Sequence, residues 1–257
     1  MADDRQTAID VREAVKRYGD FTALQKISLE IFDNEFFTLL GPSGCGKTTL
    51  LNIAAGLIAP SSGETIIAGN RVDGPGQGQG VVFQQHALFP WLTAAGNIEF
   101  GCRNSNLSRA QKRDLVKQLL DLVGLSRAAD SYPRELSGGM QQRIAIARAL
   151  AMDPEILVMD EPFGALDEIV RDRLNEQLLS LWARTSKTIA FVTHSIPEAV
   201  YLSTKIVVMS PRPGRITDVI DSPLPKDRPL HIRESAAFLE IAARVRDGLR
   251  AGMDADA

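Results

Sequence analysis

The feature that most constrains the fold of this chain is a glycine-rich loop between a buried strand and a helix. The sequence LLGPSGCGKTTLLNIAAGL leaves an apolar stretch at 36–40, passes through G-x-x-x-x-G-K-T at 41–48 and enters a helical pattern. This is the context in which such a loop binds phosphate. Its glycines let backbone N–H groups converge on phosphate oxygens, and the dipole of the following helix adds to the attraction. The loop predicts an α/β protein that binds a nucleoside triphosphate.

Each position of the loop has an expected role. Lys47 would neutralise the β- and γ-phosphates, the Thr48 hydroxyl would coordinate Mg²⁺, and Thr49 would donate to the α-phosphate. The other nucleotide contacts are expected from Gly41, Pro42, Ser43, Gly44, Cys45 and Gly46. A simple glycine turn could also join a strand to a helix, but it would not require the lysine, the hydroxyl and both flanks together.

Further apolar runs indicate a largely parallel sheet that is covered on both faces. Short segments rich in Val, Ile, Leu and Phe recur with helical patterns between them, which is typical of α/β folds. The clearest strands are 36–40, 80–83, 156–160, 188–193 and 205–210. Two earlier segments, AIDVREAVKRY and KISLEIF, alternate apolar and polar residues and predict an antiparallel sheet with one solvated face.

The stretch between the strands at 80–83 and 156–160 carries mainly helical signals. Ser108 is a suitable N-cap for a helix over 108–123, and a second helix is expected over 139–151. We therefore predict a P-loop NTPase core with a mixed sheet, an antiparallel β subdomain and an inserted helical subdomain. The expected division is one ATPase domain over 1–220, with an α/β core at 8–84 and 155–220 and a helical subdomain at 85–154, then a linker and helix over 221–257.

Composition narrows the possible functions. Lys and Arg number 29 against 32 Asp and Glu, so there is no basic surplus for nucleic acid or an anionic membrane surface. Cys45 and Cys102 form neither a disulfide framework nor a metal-ligand pattern, which fits a reducing compartment. The acidic N-terminus lacks the apolar core of a signal peptide, and no apolar stretch approaches the roughly 20 residues that a spanning helix needs. We expect a cytosolic chain whose membrane spans, if it works at a membrane, belong to other chains.

Two acids close the apolar strand at 156–160. Because successive residues face opposite sides of a strand end, Asp160 can face Mg²⁺ while Glu161 is free to take a proton from an attacking water. A lone Asp-Glu pair is more often the start of a solvated loop, but functional sites do lie at the carboxyl edge of a parallel sheet. His194 and Gln84 also follow strands. We expect His194 at the phosphate edge and Gln84 near both Mg²⁺ and the attacking water.

The segment LSGGMQQRIAIARAL, at 136–150, has no side chain that could run a reaction, yet it is suited to meet an anion. Ser137 can cap the helix or donate to a phosphate oxygen, and the helix dipole favours negative charge there. A helix start alone does not explain Gly138 and Gly139, because alanine would stabilise a helix by about 1 kcal/mol at each position. We expect their backbone to contact a ligand, and Gln142 to lie on the polar side of the helix.

Together these motifs resemble the nucleotide-binding subunit of an ATP-binding-cassette (ABC) transporter, over roughly residues 8–215. The resemblance implies an ABC-type ATPase fold, ATP and Mg²⁺ as ligands, and a role for each motif. It assigns adenine stacking to Tyr18, the membrane-sensing Q-loop to Gln84, the signature to Ser137, Gly138 and Gly139, the magnesium acid to Asp160, the base to Glu161, the D-loop to Asp167 and the switch that contacts the γ-phosphate to His194.

Two positions depart from the family pattern. Met140 ends the signature where Gln is commoner, but the following Gln-Gln-Arg is intact. Ser195 follows the switch histidine where the family usually has Asp. The second change would loosen the support of His194 without removing it.

The resemblance also implies partners. Two subunits would pack head to tail as a homodimer, with each ATP held between the phosphate loop of one subunit and the signature of the other. Polytopic membrane permease subunits would contact the segment Leu88, Phe89, Pro90 and Trp91, although an aromatic cluster is more often core and Trp91 fits either place. A periplasmic or lipid-anchored binding protein would deliver the substrate. The chain would lie peripherally on the cytoplasmic face of the inner membrane, and no nucleic-acid partner is expected.

The substrate is suggested only by subfamily resemblance. The segments LFPWLTAAGNI, HSIPEAVYLS and VVMSPRPGRI are most similar to importers of the nitrate, sulfonate and taurine group, which implies uptake of a small oxyanion. Relatives in that group carry bicarbonate, thiamine-precursor pyrimidines or riboflavin, and these stay alternatives. A non-transport cassette acting on DNA or ribosomes is a further alternative. The single cassette, without heptads or a basic surplus, favours transport.

Overall fold

The structure is a computed structural model that describes residues 6–72, 74, 78–83, 87–164, 166–185 and 187–254. In chain order the strands are β1 (Thr7–Tyr18), β2 (Phe21–Phe32), β3 (Phe36–Leu40), β4 (Ser62–Ile67), β5 (Asn70–Arg71), β6 (Gln79–Val82), β7 (Ile156–Asp160), β8 (Thr188–Thr193), β9 (Lys205–Met209) and β10 (Ile216–Asp221). The helices are α1 (Lys47–Ala54), α2 (Ala94–Gly101), α3 (Arg109–Leu122), α4 (Gly138–Ala151), α5 (Glu168–Arg184), α6 (Ile196–Leu202) and α7 (Ala236–Asp254).

A six-stranded sheet in the order β10-β9-β3-β8-β7-β6 forms the centre of the molecule. Every neighbouring pair is parallel except β10 with β9, which is antiparallel. All residues of β3, β7 and β8 are buried, and their continuous apolar sequences reflect coverage on both faces. The parallel strands bring their carboxyl ends to one edge, and the prediction of a mixed sheet is confirmed.

A second sheet is antiparallel and four-stranded, in the order β2-β1-β4-β5. It contains the two alternating segments, as predicted, and register shifts between β1 and β2 make the pairing irregular. Tyr18 and Phe21 face each other across the tight turn that joins these strands. The turn places this aromatic pair beside the glycine-rich loop.

The core has a layer on each side of the central sheet. Phe36 and Leu40 of β3 pack in a cluster with residues of α5, α6 and α7. Phe37 and Leu39 point to the opposite face and pack with α1 and the antiparallel sheet. This alternation follows from the two-residue period of a strand, which sends successive side chains to opposite faces.

Helices α2, α3 and α4 lie between β6 and β7 in sequence and share a separate apolar cluster. Ser108 caps α3 through a reciprocal capping box with Gln111, as its sequence indicates. The expectation for Gln142 is wrong, because this side chain is buried. Helix α4 packs on two sides, with Ile144 in the helical cluster and Ile146 in the cluster of the central sheet, so little of it remains for a polar face.

The C-terminal helix α7 is a packed element rather than a free tail. Phe238, Ile241 and Val245 are buried in the cluster that covers the central sheet. Arg244 donates to both carboxylate oxygens of Asp218 on β10, at 3.0 and 2.8 Å. The domain boundaries given above stay a prediction.

Candidate functional site

The carboxyl edge of the central sheet gathers residues from several motifs. The glycine-rich loop follows β3, Asp160 ends β7, and His194 follows β8. Strand β8 lies between β3 and β7, which brings the histidine and the acids to the same edge as the loop. Gln84 lies outside the described residues, so its expected place near this edge stays a prediction.

A cavity of about 350 Å³ opens beside the loop. Left-handed backbone at Gly44 and Gly46, with φ of 76° and 100°, turns the loop in a way that favours glycine. A Cβ on Gly46 would also lie 2.6 Å from Leu24 Cδ2 and 3.1 Å from Ala23 O, so a side chain there would force these neighbours to shift. The cavity is lined by Tyr18, Phe21, Ala23, Ser43, Gly44, Gly46, Lys47, Thr48, Thr49, Glu161 and Arg212. Eight of the predicted site residues are in that lining.

Three of the predicted loop residues do not line the cavity. Lys47 Nζ donates to the backbone carbonyls of Gly41 and Pro42 at 2.9 Å each, so these two residues lie behind the lysine. Cys45 is buried, and its Sγ would lie 2.8 Å from a Cβ on Gly41. Burial raises the pKa of the Cys45 thiol, with Lys47 opposing the shift. The Cys45 side chain is therefore packing rather than a ligand group.

The oxygen atoms of Asp160 and Thr48 fit a hard divalent cation such as Mg²⁺. Asp160 is buried, and its Oδ1 has no hydrogen-bond partner among the described residues, a costly arrangement for a carboxylate without a compensating ligand. Burial raises the pKa of Asp160, and hydrogen bonding by the Thr48 hydroxyl works against this shift. Mg²⁺ is commonly bound by one or two carboxylates together with phosphate oxygens, which matches this donor set.

The Glu161 side chain lies between the phosphate loop and His194. Its Oε2 lies 3.1 Å from His194 Nδ1, and its Oε1 lies 3.9 Å from Lys47 Nζ. Its backbone has φ of 44°, a left-handed conformation that costs a non-glycine residue on the order of 1 kcal/mol. The Glu161 N–H nevertheless donates to Val192 O at 3.0 Å. The strained turn after β7 thus directs the carboxylate into the cavity.

The histidine is exposed but its backbone is held on both sides. The Thr193 hydroxyl donates to the buried Glu198 carboxylate and accepts from Ser195 N–H. The Ser195 hydroxyl in turn accepts from Glu198 N–H at 3.4 Å and caps α6. Ser195 therefore performs the N-cap role that an Asp could perform, so the departure at this position retains the local support of His194.

The signature residues do not line the cavity beside their own loop. The Ser137 hydroxyl caps α4 by accepting from Met140 N–H, and Ser137 and Gly138 are exposed. The sequence did not reveal that position 139 is crowded. A Cβ there would lie 2.9 Å from Leu166 Cδ2. Asp167 caps α5 through Val170 N–H at 3.0 Å. Packing against Leu166 thus disfavours a side chain at Gly139, and the contact of both signature glycines with a ligand stays a prediction.

An exposed aromatic group lies at the start of the helical region. Trp91 is 70% exposed, and its ring centroid lies 5.5 Å from that of Phe89. Phe89 also packs at a tilt against Phe100, with ring centroids 4.4 Å apart, and Arg148 lies over the Phe89 ring. Trp91 is therefore a surface residue rather than part of the core.

Comparison with known proteins shows the family of this chain. A family model described as ABC transporter matches residues 24–164, from β2 through the loop to Glu161 and beyond. This chain belongs to the ABC transporter family. The ABC-type ATPase fold expected from the motifs is confirmed, and the protein is an ATPase of this family that binds ATP.

Relatives of this ABC-family chain match between 76% and 92% of its length. A putative ATP-binding protein of Brucella abortus (strain 2308) is 51% identical over 92% of this chain and 91% of its own length. An aliphatic sulfonates import ATP-binding protein, SsuB of Bacillus cereus, is 46% identical over 90% of this chain and 89% of its own. The taurine import ATP-binding protein TauB of Roseobacter denitrificans is 50% identical over 76% of this chain and 72% of its own.

A solved ABC cassette shares the fold. It is a dimeric structure of a post-hydrolysis state bound to ADP and Pi, with a TM-score of 0.76 and 32% identity over 83% of this chain and 98% of that one. Within the described part of this ABC-family chain, no helix is long and apolar enough to cross a membrane.

Proposed function

We propose that ATP occupies the cavity between Tyr18 and Lys47, and that Glu161 activates the water that cleaves it. Tyr18 would stack on adenine, while backbone N–H groups of the loop at 41–49 would bind the phosphates. Lys47 would exchange its hydrogen bonds to the Gly41 and Pro42 carbonyls for contacts with the β- and γ-phosphates. The ammonium is already close to the place where these phosphates would lie, so this exchange needs only a small side-chain movement.

The observation that carries this proposal is the position of the Glu161 carboxylate between His194 and Lys47. An acid held by hydrogen bonding at the cavity wall is suited to accept a proton from water as the water attacks phosphorus. His194 would hold Glu161 in place and reach the γ-phosphate with its other ring nitrogen. Gln84 would complete the water site.

Asp160 and Thr48 would hold Mg²⁺, together with Gln84. When bound, the ion supplies neutralisation of the charge on the β- and γ-phosphate oxygens. The buried, unpartnered Oδ1 of Asp160 supports this assignment, because a bound cation would compensate its burial.

The role of Glu161 can be tested by Glu161→Gln, which keeps the shape of the side chain and removes its basicity. ATP binding should persist, while turnover should fall by roughly 10²- to 10⁴-fold. A matched control is Glu155→Gln, since Glu155 is exposed at the opposite end of β7. A Glu161→Gln variant that keeps more than a tenth of the wild-type rate would remove Glu161 from the role of base.

We also propose that the functional unit is a head-to-tail homodimer with ATP at the interface. Ser137 and Gly138 are exposed at the N-terminus of α4, and a helix N-terminus attracts phosphate. The related cassette that was solved as a dimer supports this arrangement. Driving such a dimer from 1% to 99% closed requires about 5.5 kcal/mol of preferential ATP binding, which two γ-phosphates with charge-assisted hydrogen bonds could supply.

For the transported substrate we propose a small oxyanion of the sulfonate or taurine type, with nitrate as the related alternative. The names of two relatives support this choice. The dimer would work at the cytoplasmic face of the membrane on a separate permease, with Trp91 in the contact and a substrate-binding protein on the other side. Co-purification with a polytopic membrane protein tests the partnership.

The substrate can be tested in proteoliposomes that contain the ATPase, its permease and the binding protein. An alkanesulfonate or taurine should stimulate ATP hydrolysis, and nitrate, bicarbonate, riboflavin or a pyrimidine should not. Stimulation by DNA or ribosomes, with no permease bound, would contradict the transport proposal.

A further inference from the structure

The loop that follows β9 reaches the cavity beside the phosphate loop. Strand β9 runs parallel to β3 and pairs with it directly, so residues 210–215 leave the sheet at the same edge as the phosphate loop. Gly214 N–H donates to Ala23 O at 3.0 Å and Gly214 O accepts from Gln25 N–H at 3.0 Å. These bonds fix residues 210–215 between the antiparallel sheet and the phosphate loop.

Arg212 projects from this loop into the cavity lining. Its Nε donates to the backbone carbonyl of Gly44 at 2.7 Å, and its guanidinium carbon lies 5.4 Å from the centroid of Phe21. The side chain therefore spans the distance from the aromatic pair at the β1–β2 turn to the middle of the phosphate loop. None of the sequence motifs assigned a role to it.

The Arg212 guanidinium has no acidic partner among the residues that the structure describes. Within the described part of the chain, no carboxylate lies within 4 Å of its guanidinium, whereas Lys47 lies 3.9 Å from Glu161 and donates to two carbonyls. A guanidinium presents five N–H donors in a planar fork, and among the described residues the acceptor for Arg212 is Gly44 O, which its Nε contacts. Arg212 itself lines the cavity, so its remaining donors lie at the space that an anionic ligand would enter.

We infer that Arg212 is a further nucleotide-binding residue, which donates to the phosphate chain of ATP or ADP from the side opposite Lys47. This inference rests on the proposal that ATP occupies the cavity. Arginine suits the task because its fork matches the oxygen geometry of a phosphate. Its bond to Gly44 O would keep the guanidinium aligned with the loop before the nucleotide arrives.

The test compares nucleotide dissociation constants of single variants in a Glu161→Gln background, measured with a fluorescent ATP analogue and by competition with ADP. Arg212→Ala should raise the dissociation constants of both nucleotides by about 5- to 10-fold, as expected for the loss of one partly exposed charge-assisted hydrogen bond. Arg212→Lys should recover part of the loss. The matched control is Arg215→Ala, because Arg215 lies in the same loop but donates to the Gln25 side chain.

Salt gives a second readout. The ratio between the dissociation constants of Arg212→Ala and the parent should shrink as KCl is raised from about 50 to about 500 mM, because exposed charge interactions are screened. An affinity loss below twofold, an equal loss in Arg215→Ala or a ratio independent of salt would overturn the inference. Lys47→Ala separates the two proposals: if that variant keeps full affinity, the cavity is not the nucleotide site at all.

Discussion

Two glycines of α7 provide a sharp test of how this helix docks on the central sheet. A Cβ added at Gly248 would lie 3.5 Å from Asp218 Cβ and 3.6 Å from the methyl groups of Val208, which is ordinary contact. A Cβ at Gly252 would lie 3.1 Å from Thr217 Cγ2 and 3.2 Å from the Ser210 backbone, which is too close without a shift. Both substitutions to alanine gain the same intrinsic helix propensity, but the space available for the added methyl group differs between the two positions.

Gly248→Ala should stabilise the protein by about 1 kcal/mol, because alanine is the better helix former and its methyl group finds contacts. For a chain of this size that corresponds to a rise in Tm of about 2–4 °C. At Gly252 the crowding against backbone should offset the same gain, so the Tm of Gly252→Ala should not rise.

Thermal unfolding followed by circular dichroism measures both values, with ATPase activity as a check that the site is intact. If Gly252→Ala stabilises as much as Gly248→Ala, then α7 does not lie on β9 and β10 in the way described. Equal destabilisation of both variants would contradict the reasoning as well.

Two further predictions concern buried titratable groups. Burial raises the pKa of the Cys45 and Cys102 thiols. A thiol reagent at about pH 8, just below the ordinary thiol pKa, should therefore label the folded protein far more slowly than protein unfolded in denaturant. Equal labelling rates would contradict the burial of these thiols. Burial also raises the pKa of Glu198 from 4.5, so the folded state holds this proton more tightly and loses stability as pH rises from about 4.5 to the raised pKa. Glu198→Gln removes that titration, so its free energy of unfolding relative to wild type should increase with pH over this range in urea unfolding. A difference that is constant or falls with pH would contradict it.

The fold could largely be predicted from the sequence because its signals are local. Continuous apolar runs such as 36–40 mark strands covered on both faces, and the reciprocal cap at Ser108 marks the start of a helix. Parallel pairing then gathers strand ends at one edge. This rule was enough to place Glu161 and His194 together from the sequence alone.

The features that sequence did not reveal depend on contacts between distant segments. The loop that carries Arg212 follows β9 just as the phosphate loop follows β3, but only the β9–β3 pairing shows that the two meet. Gly139 also lies against Leu166, a contact between separate segments that the sequence does not show. Gln142 looks polar and exposed until α4 is found to be packed on two sides.

Ser195 illustrates the limit of comparing a residue with the family pattern. Replacement of an Asp by Ser suggests looser support for His194. The hydroxyl nevertheless caps α6 and closes a ring of hydrogen bonds with Glu198 and Thr193. The role of Ser195 follows from its position at the start of α6. Because Ser and Asp are both good N-cap residues, exchanging one for the other does not change that start.

In the proposed dimer each ATP site is completed by the signature of a second subunit, so ATP should drive dimerisation. Analytical ultracentrifugation of the Glu161→Gln variant with ATP should show a dimer, and adding Ser137→Arg should abolish that dimer while monomers still bind ATP. The control Ser126→Arg places the same charge on another exposed serine of the helical region and should leave the dimer intact. A dimer that persists with Ser137→Arg would contradict the composite site.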